Sequence, residues 1–182
     1  MTAGIKVLDS HMHLLTAETA REELAWLPPM SPAVAAAARR RRERYEREQA
    51  VPSAEAADET VEAAASRWLA AFDHYGVTAA VFLALAPRPE TLRRFAAQRP
   101  DRLFAFTFVD PWEAGAEKIL EEDVLHRGFR GLKLYPSIQR FHAHDERAYP
   151  VFARAEARGI PVLFHFGVTL DYRSDLRFSN PL

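Results

Sequence analysis

Two histidines separated by one residue, His11 and His13, follow the first apolar run of the chain, Ile5–Ser10. Side chains of a β-strand alternate between its two faces, so residues i and i+2 point in the same direction. Both imidazoles therefore project together from one strand end, which is how two nitrogen ligands are placed on one divalent metal ion. A later run, Ile160–Phe166, contains a third histidine, His165, near its end. This spacing predicts a metal site built from the ends of two strands.

The composition limits the ligands and partners that such a site could use. The chain has 182 residues, which is enough for one domain with a hydrophobic core, and residues 1–182 are expected to form one. The 24 Lys and Arg nearly balance the 25 Asp and Glu, so neither a nucleic acid nor a membrane is expected as a partner. Cysteine is absent, so a metal must be bound through nitrogen and oxygen.

The same composition bears on location. The absence of cysteine fits a reducing cytoplasm. Residues 1–10 lack the basic and apolar regions of a signal peptide, and no run reaches the roughly 18 apolar residues of a membrane span. We therefore expect a cytoplasmic protein that acts on a small-molecule substrate.

The segment from about residue 14 to 58 is interpreted as a helical insertion that covers one end of the domain. Prolines interrupt it at positions 28, 29, 32 and 52. Between them, residues 33–49 are rich in Ala, Arg and Glu and predict a helix. The run Arg39–Arg42 could suggest a nucleic-acid contact, but three glutamates follow it closely, so we interpret it as a solvated helix face.

From Thr60 onward, predicted helices and strands alternate. Apolar runs predict strands over residues 77–85, 103–109, 129–135 and 160–166, and the residues between them predict helices. Three helices end at a glycine directly before a strand, at Gly76, Gly128 and Gly159. Alternation of this kind is typical of βα units around a parallel sheet. A doubly wound sheet could end at five strands, whereas a (β/α)₈ barrel needs eight.

Further candidate residues lie at the carboxyl ends of the later strands, the face on which barrel enzymes build their active sites. Lys133 lies near the end of the fourth strand, in an apolar run where burying an ammonium group is costly. The Lys133 side chain therefore needs a partner or a chemical modification, or it must point into a polar opening of the barrel. Tyr135 lies beside it, and Arg173 follows the fifth strand. Both are candidates for substrate binding, Arg173 through a substrate carboxylate.

These motifs resemble the amidohydrolase superfamily. The resemblance is carried by Asp9–His13 after the first strand, by Gly-Phe-Arg-Gly-Leu-Lys-Leu-Tyr-Pro at the fourth, and by Pro161–Gly167 at the fifth. It is closest to the "amidohydrolase 2" branch of metal-dependent hydrolases, related to aminocarboxymuconate-semialdehyde decarboxylase-like proteins. It covers nearly all of the chain except the insertion at 14–58. It implies an α/β fold of the (β/α)₈ TIM-barrel type, truncated after the fifth strand.

The resemblance also implies roles for individual residues. His11, His13 and His165 match metal ligands on strands 1 and 5, with Zn²⁺ as the expected ion. Lys133 matches the position of the carboxylated lysine that bridges two metals in binuclear members, whereas mononuclear members do not need a lysine ligand. The family's strand-6 His and its strand-8 Asp, a metal ligand and proton acceptor, would lie beyond Leu182. No catalytic acid or base is therefore assigned within the chain.

The function expected from this resemblance is metal-dependent hydrolysis, in which an activated water attacks an amide, ester or related C–N or C–O bond. One alternative is nonoxidative decarboxylation of a carboxylated aromatic or muconate-like acid. Another is an inactive truncated fragment, or an interaction module that uses the Arg-rich helix. Five strands leave two open sheet edges. We therefore expect a fragment of a longer enzyme, or a chain that folds with a partner, either as a homo-oligomer or with its missing C-terminal half.

Overall fold

A computed structural model describes residues 6–26, 31–49, 58–167 and 174–180. Its strands form one sheet and follow each other in chain order: β1 (Val7–Met12), β2 (Val77–Leu83), β3 (Leu103–Phe108), β4 (Gly131–Leu134) and β5 (Val162–Phe164). Every neighbouring pair is parallel. A doubly wound sheet reverses its strand order at a switch point, whereas a barrel adds each strand beside the last. The predicted barrel-type fold is therefore confirmed.

Helices connect the strands. In the described part of the chain they are α1 (Ala17–Trp26), α2 (Pro32–Gln49), α3 (Val61–Tyr75), α4 (Glu90–Ala97), α5 (Ala116–His126), α6 (Pro136–Gln139) and α7 (Tyr149–Ala157). Short 3₁₀ helices cover Glu146–Ala148 and Leu176–Phe178. The helices α1 and α2 lie within the segment that the sequence predicts as an insertion. No helix among the described residues is long and apolar enough to cross a membrane.

The α3–β2 junction shows why the alternation of helices and strands can be predicted from the sequence. The Thr60 hydroxyl accepts a hydrogen bond from the backbone N–H of Ala63 and so caps the start of α3. Gly76 ends the helix in the left-handed conformation, with φ of 70°, and its N–H donates to the Phe72 carbonyl. The chain enters β2 at the next residue, so the helix ends where the buried strand must begin.

Some element boundaries differ from the predicted ones. The strand β1 reaches Met12, two residues further than predicted, so His11 belongs to the strand itself. The sequence predicts a helix over residues 113–127, but α5 begins at Ala116, because Gly115 in the left-handed conformation (φ of 78°) starts a new turn there. The helix α6 was not predicted. It begins at Pro136, where a proline suits the first helical turn because no N–H is needed there.

The core lies mainly between the sheet and its helices. One cluster packs β2 against α3 and α4, with Phe82 enclosed by aromatic rings. The other packs Leu132 and Leu134 of β4 against α5 and α7. Since strand side chains alternate, Lys133 between these two leucines points to the opposite face of the sheet. This is the face that becomes the interior of a barrel.

Candidate metal and ligand site

An open pocket of about 250 Å³ lies at the carboxyl ends of the strands, and we call it the strand-end pocket. Its lining residues are His11, His13, Glu23, Leu85, Lys133, Tyr135, Ile138 and His165. The carboxyl ends of parallel strands meet at one edge of a sheet, so residues more than 150 positions apart share this pocket. The structure thus brings together five of the six residues proposed from the sequence. The sixth, Arg173, lies outside the described residues.

The imidazoles of His11 and His13 meet edge to face, with their planes at 74° and their Nε2 atoms 3.3 Å apart. Two nitrogens bound to one tetrahedral zinc at about 2.0–2.1 Å would also lie about 3.3 Å from each other. The Nδ1 atom of His13 lies 3.2 Å from the backbone carbonyl oxygen of Leu83. A carbonyl can only accept, so Nδ1 carries the proton and donates it. The lone pair of His13 Nε2 is therefore directed towards His11, as in metal-binding histidines.

His165 lies in the same pocket, but its ring makes different contacts. The ring packs against that of Tyr135, with centroids 4.1 Å apart and planes tilted by 34°. Its Nε2 atom is buried and has no hydrogen-bond partner. Within the described ranges, no three His, Cys, Asp or Glu side chains are grouped so that they could hold one metal ion. The pair on β1 thus has ligand spacing, while His165 offers an unsatisfied nitrogen nearby.

Lys133 is fully buried, and its Nζ atom has no hydrogen-bond partner. The nearest feature that stabilises its charge is the ring of Tyr135, whose centroid lies 5.5 Å from Nζ. Burial lowers the pKa of Lys133 from its ordinary value to about 8. The side chain is therefore a buried cation at neutral pH that has no hydrogen-bonded anion in the part of the chain that the structure describes.

The surroundings favour uncharged imidazoles. The pKa of His13 is lowered to about 4, mainly by burial and in smaller part by the charges of His11, Lys133 and His165, although the contact with the Leu83 carbonyl acts in the opposite direction. Burial and the positive charge of Lys133 also lower the pKa values of His11 and His165. Metal ions bind the neutral form of histidine. All three rings are therefore in a metal-binding protonation state at neutral pH.

Tyr135 is held in the pocket by the turn that follows β4. Its backbone N–H donates to the side-chain carbonyl oxygen of Gln139, at 2.7 Å. The amide nitrogen of Gln139 in turn donates to the Val109 carbonyl at the end of β3, at 2.8 Å. Gln139 is buried and so ties the ends of two neighbouring strands together. This contact fixes the backbone that carries both Tyr135 and Ile138.

The carboxylate of Glu23 is the lining group that the sequence did not reveal. It belongs to α1, which is docked on α4 by neighbouring glutamates. Glu22 accepts hydrogen bonds from the backbone N–H and the hydroxyl of Thr91, at 2.9 and 2.7 Å. Glu18 accepts one from Arg94, at 3.0 Å. Their partners lie about 70 residues further along the chain, so no local sequence signal identifies this contact.

Two apolar side chains complete the lining, Leu85 after β2 and Ile138 in α6. Nothing in their sequence context distinguishes them from other core residues, so sequence reasoning had no means to assign them. Together with the Tyr135 ring they add apolar surface to a lining that otherwise consists of three histidines, Lys133 and Glu23. A pocket of this kind suits a ligand with both polar and apolar groups.

Solved structures with the same fold include barrel proteins and metal-containing enzymes. A TIM-barrel protein from Bordetella bronchiseptica is 18% identical, with a TM-score of 0.58 over 97% of this chain and 60% of that one. A manganese-bound 5-carboxyvanillate decarboxylase from Novosphingobium aromaticivorans is 15% identical, with a TM-score of 0.59 over 98% and 54%. A probable 2-pyrone-4,6-dicarboxylic acid hydrolase from Acinetobacter baumannii is 15% identical, with a TM-score of 0.54 over 88% and 49%. Identities this low show a common fold alone.

The chain spans about half the length of these solved structures. Among curated protein sequences, the comparison finds no significant match. The profile of one family, Amidohydrolase, matches residues 8–181, which is nearly the whole chain. The match includes β1 with its histidine pair and every other strand of the sheet. The chain belongs to the amidohydrolase family.

Proposed function

We propose that the strand-end pocket belongs to the active site of a metal-dependent hydrolase, in which His11 and His13 hold one divalent ion. The observation that carries this proposal is the 3.3 Å separation of their Nε2 atoms, together with the Leu83 carbonyl that fixes the tautomer of His13. His165 as the third ligand stays a sequence-based prediction: its buried Nε2 lacks a hydrogen-bond partner, but in this structure it is not grouped with the pair closely enough to share one ion, so its ring would have to move to complete the set.

Zinc is the ion we propose, because imidazole nitrogens suit it and no thiolate is available. When bound, it would supply Lewis acidity, which polarises a substrate carbonyl and lowers the pKa of water. The chain's own residues would orient the reactants. Leu83 holds the His13 ring, while Tyr135, Leu85 and Ile138 would shield the apolar part of a substrate from water. Lys133 as a metal ligand stays a sequence-based prediction.

The alternative is nonoxidative decarboxylation of a carboxylated aromatic or muconate-like acid. It is favoured by the fold shared with 5-carboxyvanillate decarboxylase and by the apolar residues in the lining of the strand-end pocket. The two reactions differ in their products. Release of CO₂ from an aromatic carboxylic acid by the metal-loaded protein would support decarboxylation, whereas proton release from an ester or lactone without CO₂ would support hydrolysis.

The proposed metal site can be tested by calorimetric titration of the chain with Zn²⁺ and Mn²⁺. We expect one ion per chain, and a loss of affinity of more than about 100-fold in His13→Ala, because a direct ligand matters more than its outer hydrogen-bond partners. The matched control is His144→Ala, which removes a histidine from the loop after β4, away from the pocket lining. Equal metal affinity in the two variants, or no binding by the parent chain, would contradict the proposal.

A further inference from the structure

The ring of His165 lines the strand-end pocket but does not lie beside the histidine pair. Its Nε2 atom is buried without a hydrogen-bond partner, and in the part of the chain that the structure describes it is not grouped with His11 and His13 around one ion position. A buried polar nitrogen without a partner costs free energy. Another contact must therefore hold the ring in this position.

That contact is the ring of Tyr135, on which the imidazole of His165 is stacked. The two ring centroids lie 4.1 Å apart, with the planes tilted by 34°. Every other pair of aromatic rings among the described residues is further apart, beginning at 4.6 Å. Aromatic pairs attract each other more strongly than the apolar area that they bury would predict. The stack therefore competes with any position of the His165 ring beside the histidine pair.

The backbone is fixed on both sides of the stack. Tyr135 is buried, and its N–H donates to the side-chain carbonyl oxygen of Gln139 at 2.7 Å. The N–H of His165 donates to the Leu134 carbonyl at 2.9 Å, which continues the pairing of β5 with β4. A change in the position of the His165 ring therefore requires rotation of the side chain rather than movement of the strand. The open strand-end pocket, which the ring lines, gives it space to turn.

We propose that Tyr135 is a positioning residue, which holds the His165 ring away from His11 and His13 until a metal ion binds to that pair. The stack must break before His165 can become the third ligand, so Tyr135 weakens metal binding and makes His165 an exchangeable ligand. This inference rests on the proposed metal site and adds a residue that controls its affinity.

The test is a cycle of variants in which the affinity for Zn²⁺ is measured by calorimetry at pH 7. Tyr135→Leu removes the stacked ring and should bind Zn²⁺ about 2- to 10-fold more tightly, a range set by the strength of aromatic pairs. The matched control is Tyr135→Phe, which keeps a ring and should keep the affinity of the parent chain. In a chain that carries His165→Ala, Tyr135→Leu should have no further effect, because no imidazole is left to release.

A second measurement uses the parent chain. Nuclear Overhauser effects between the ring protons of Tyr135 and His165 should be present in EDTA and disappear when Zn²⁺ is saturating. The chain has seven histidines, and the signals of His165 are identified by their absence in His165→Ala. This measurement decides the question if Tyr135→Leu does not fold.

Three results would overturn the role of Tyr135. They are Zn²⁺ binding by folded Tyr135→Leu that is no tighter than in the parent chain, an equal gain in the presence of His165→Ala, and Overhauser effects that persist at saturating Zn²⁺. If the parent chain binds Zn²⁺ and His13→Ala does not, such a result rejects the role of Tyr135 and keeps the metal site. If neither the parent chain nor Tyr135→Leu binds Zn²⁺, both proposals are rejected.

Discussion

At the end of β1, one imidazole is fixed by a backbone carbonyl from the neighbouring strand. The contact between His13 Nδ1 and the Leu83 carbonyl joins residues 70 positions apart and sets which ring nitrogen faces His11. Lys133 lies in the same pocket, and its buried charge lowers the pKa values of the histidines around it. Burial thus lowers the pKa values of both the histidine pair and Lys133.

Replacing Lys133 by Met should leave the stability of the metal-free chain unchanged or raise it. The substitution removes a buried charge without a partner while keeping most of the side-chain volume. Urea unfolding should show a midpoint equal to or above that of the parent chain. A decrease of more than about 1 kcal/mol in the free energy of unfolding would mean that the lysine has a structural role, since that is the typical cost of a destabilising substitution.

The stability of the metal-free chain should fall as pH is lowered from about 6.5 to about 4. The pKa of His13 is about 4 in the folded chain and 6.5 at its ordinary value, so the unfolded chain takes up this proton first. The stabilisation is complete above pH 6.5 and is lost as pH falls to 4, by no more than about 3 kcal/mol.

Unfolding in urea across this pH range, with EDTA present, measures the effect. In His13→Gln the free energy of unfolding should depend less on pH, because glutamine does not titrate. His126→Gln is the matched control, because it removes a histidine that is exposed at the end of α5 and lies outside the strand-end pocket. A profile of His13→Gln that matches the parent chain would exclude His13 as the cause.

At the scale of secondary-structure elements, local sequence signals such as helix caps set where each strand starts. They therefore also set which of its residues reach the pocket. The caps of α3 at Thr60 and Gly76 determine where β2 begins. In β4 the first residue is Gly131, which lies against the ring of Phe106 on β3. A β-carbon placed on Gly131 would come within 2.5 Å of that ring. This close approach explains why a glycine begins the strand that carries Lys133.

Gly131→Ala should therefore destabilise the chain by about 1–3 kcal/mol, the usual cost of forcing extra volume into a packed site. The added methyl group must displace either the Phe106 ring or the start of β4. Urea unfolding of Gly131→Ala, of Phe106→Leu and of the double variant tests this. We expect Phe106→Leu to suppress the effect of Gly131→Ala, and strictly additive effects would contradict the steric explanation.

At the scale of the whole molecule, the order of the strands determines which residues can meet. Because each strand lies beside the preceding one, β1 and β5 are the two edges of the sheet. His11 at the end of β1, His13 directly after it and His165 directly after β5 therefore reach one pocket from opposite edges. The same fold is found in a decarboxylase and in a probable hydrolase. A barrel supports many reactions through its loops, so the reaction depends on the pocket residues rather than on the fold.

The sequence by itself determined the alternation of helices and strands, the family, and the pair of histidines that face the same way. These follow from caps, apolar periodicity and the two-residue repeat of a strand, which are local properties. The boundaries predicted from the sequence for β1 and α5 were wrong by two and three residues. The irregular pairing of β1 with β2 and the left-handed conformation of Gly115 leave no trace in the apolar periodicity of the sequence.

Only the tertiary structure decided what surrounds the candidate residues. It showed that Lys133 is buried without a hydrogen-bond partner, that the Leu83 carbonyl fixes the tautomer of His13, and that α1 brings Glu23 into the pocket. It also separated the closely spaced pair on β1 from His165, which the sequence had treated as one set of three. Each of these facts depends on contacts between residues far apart in the chain, and hydrophobic periodicity describes only neighbours.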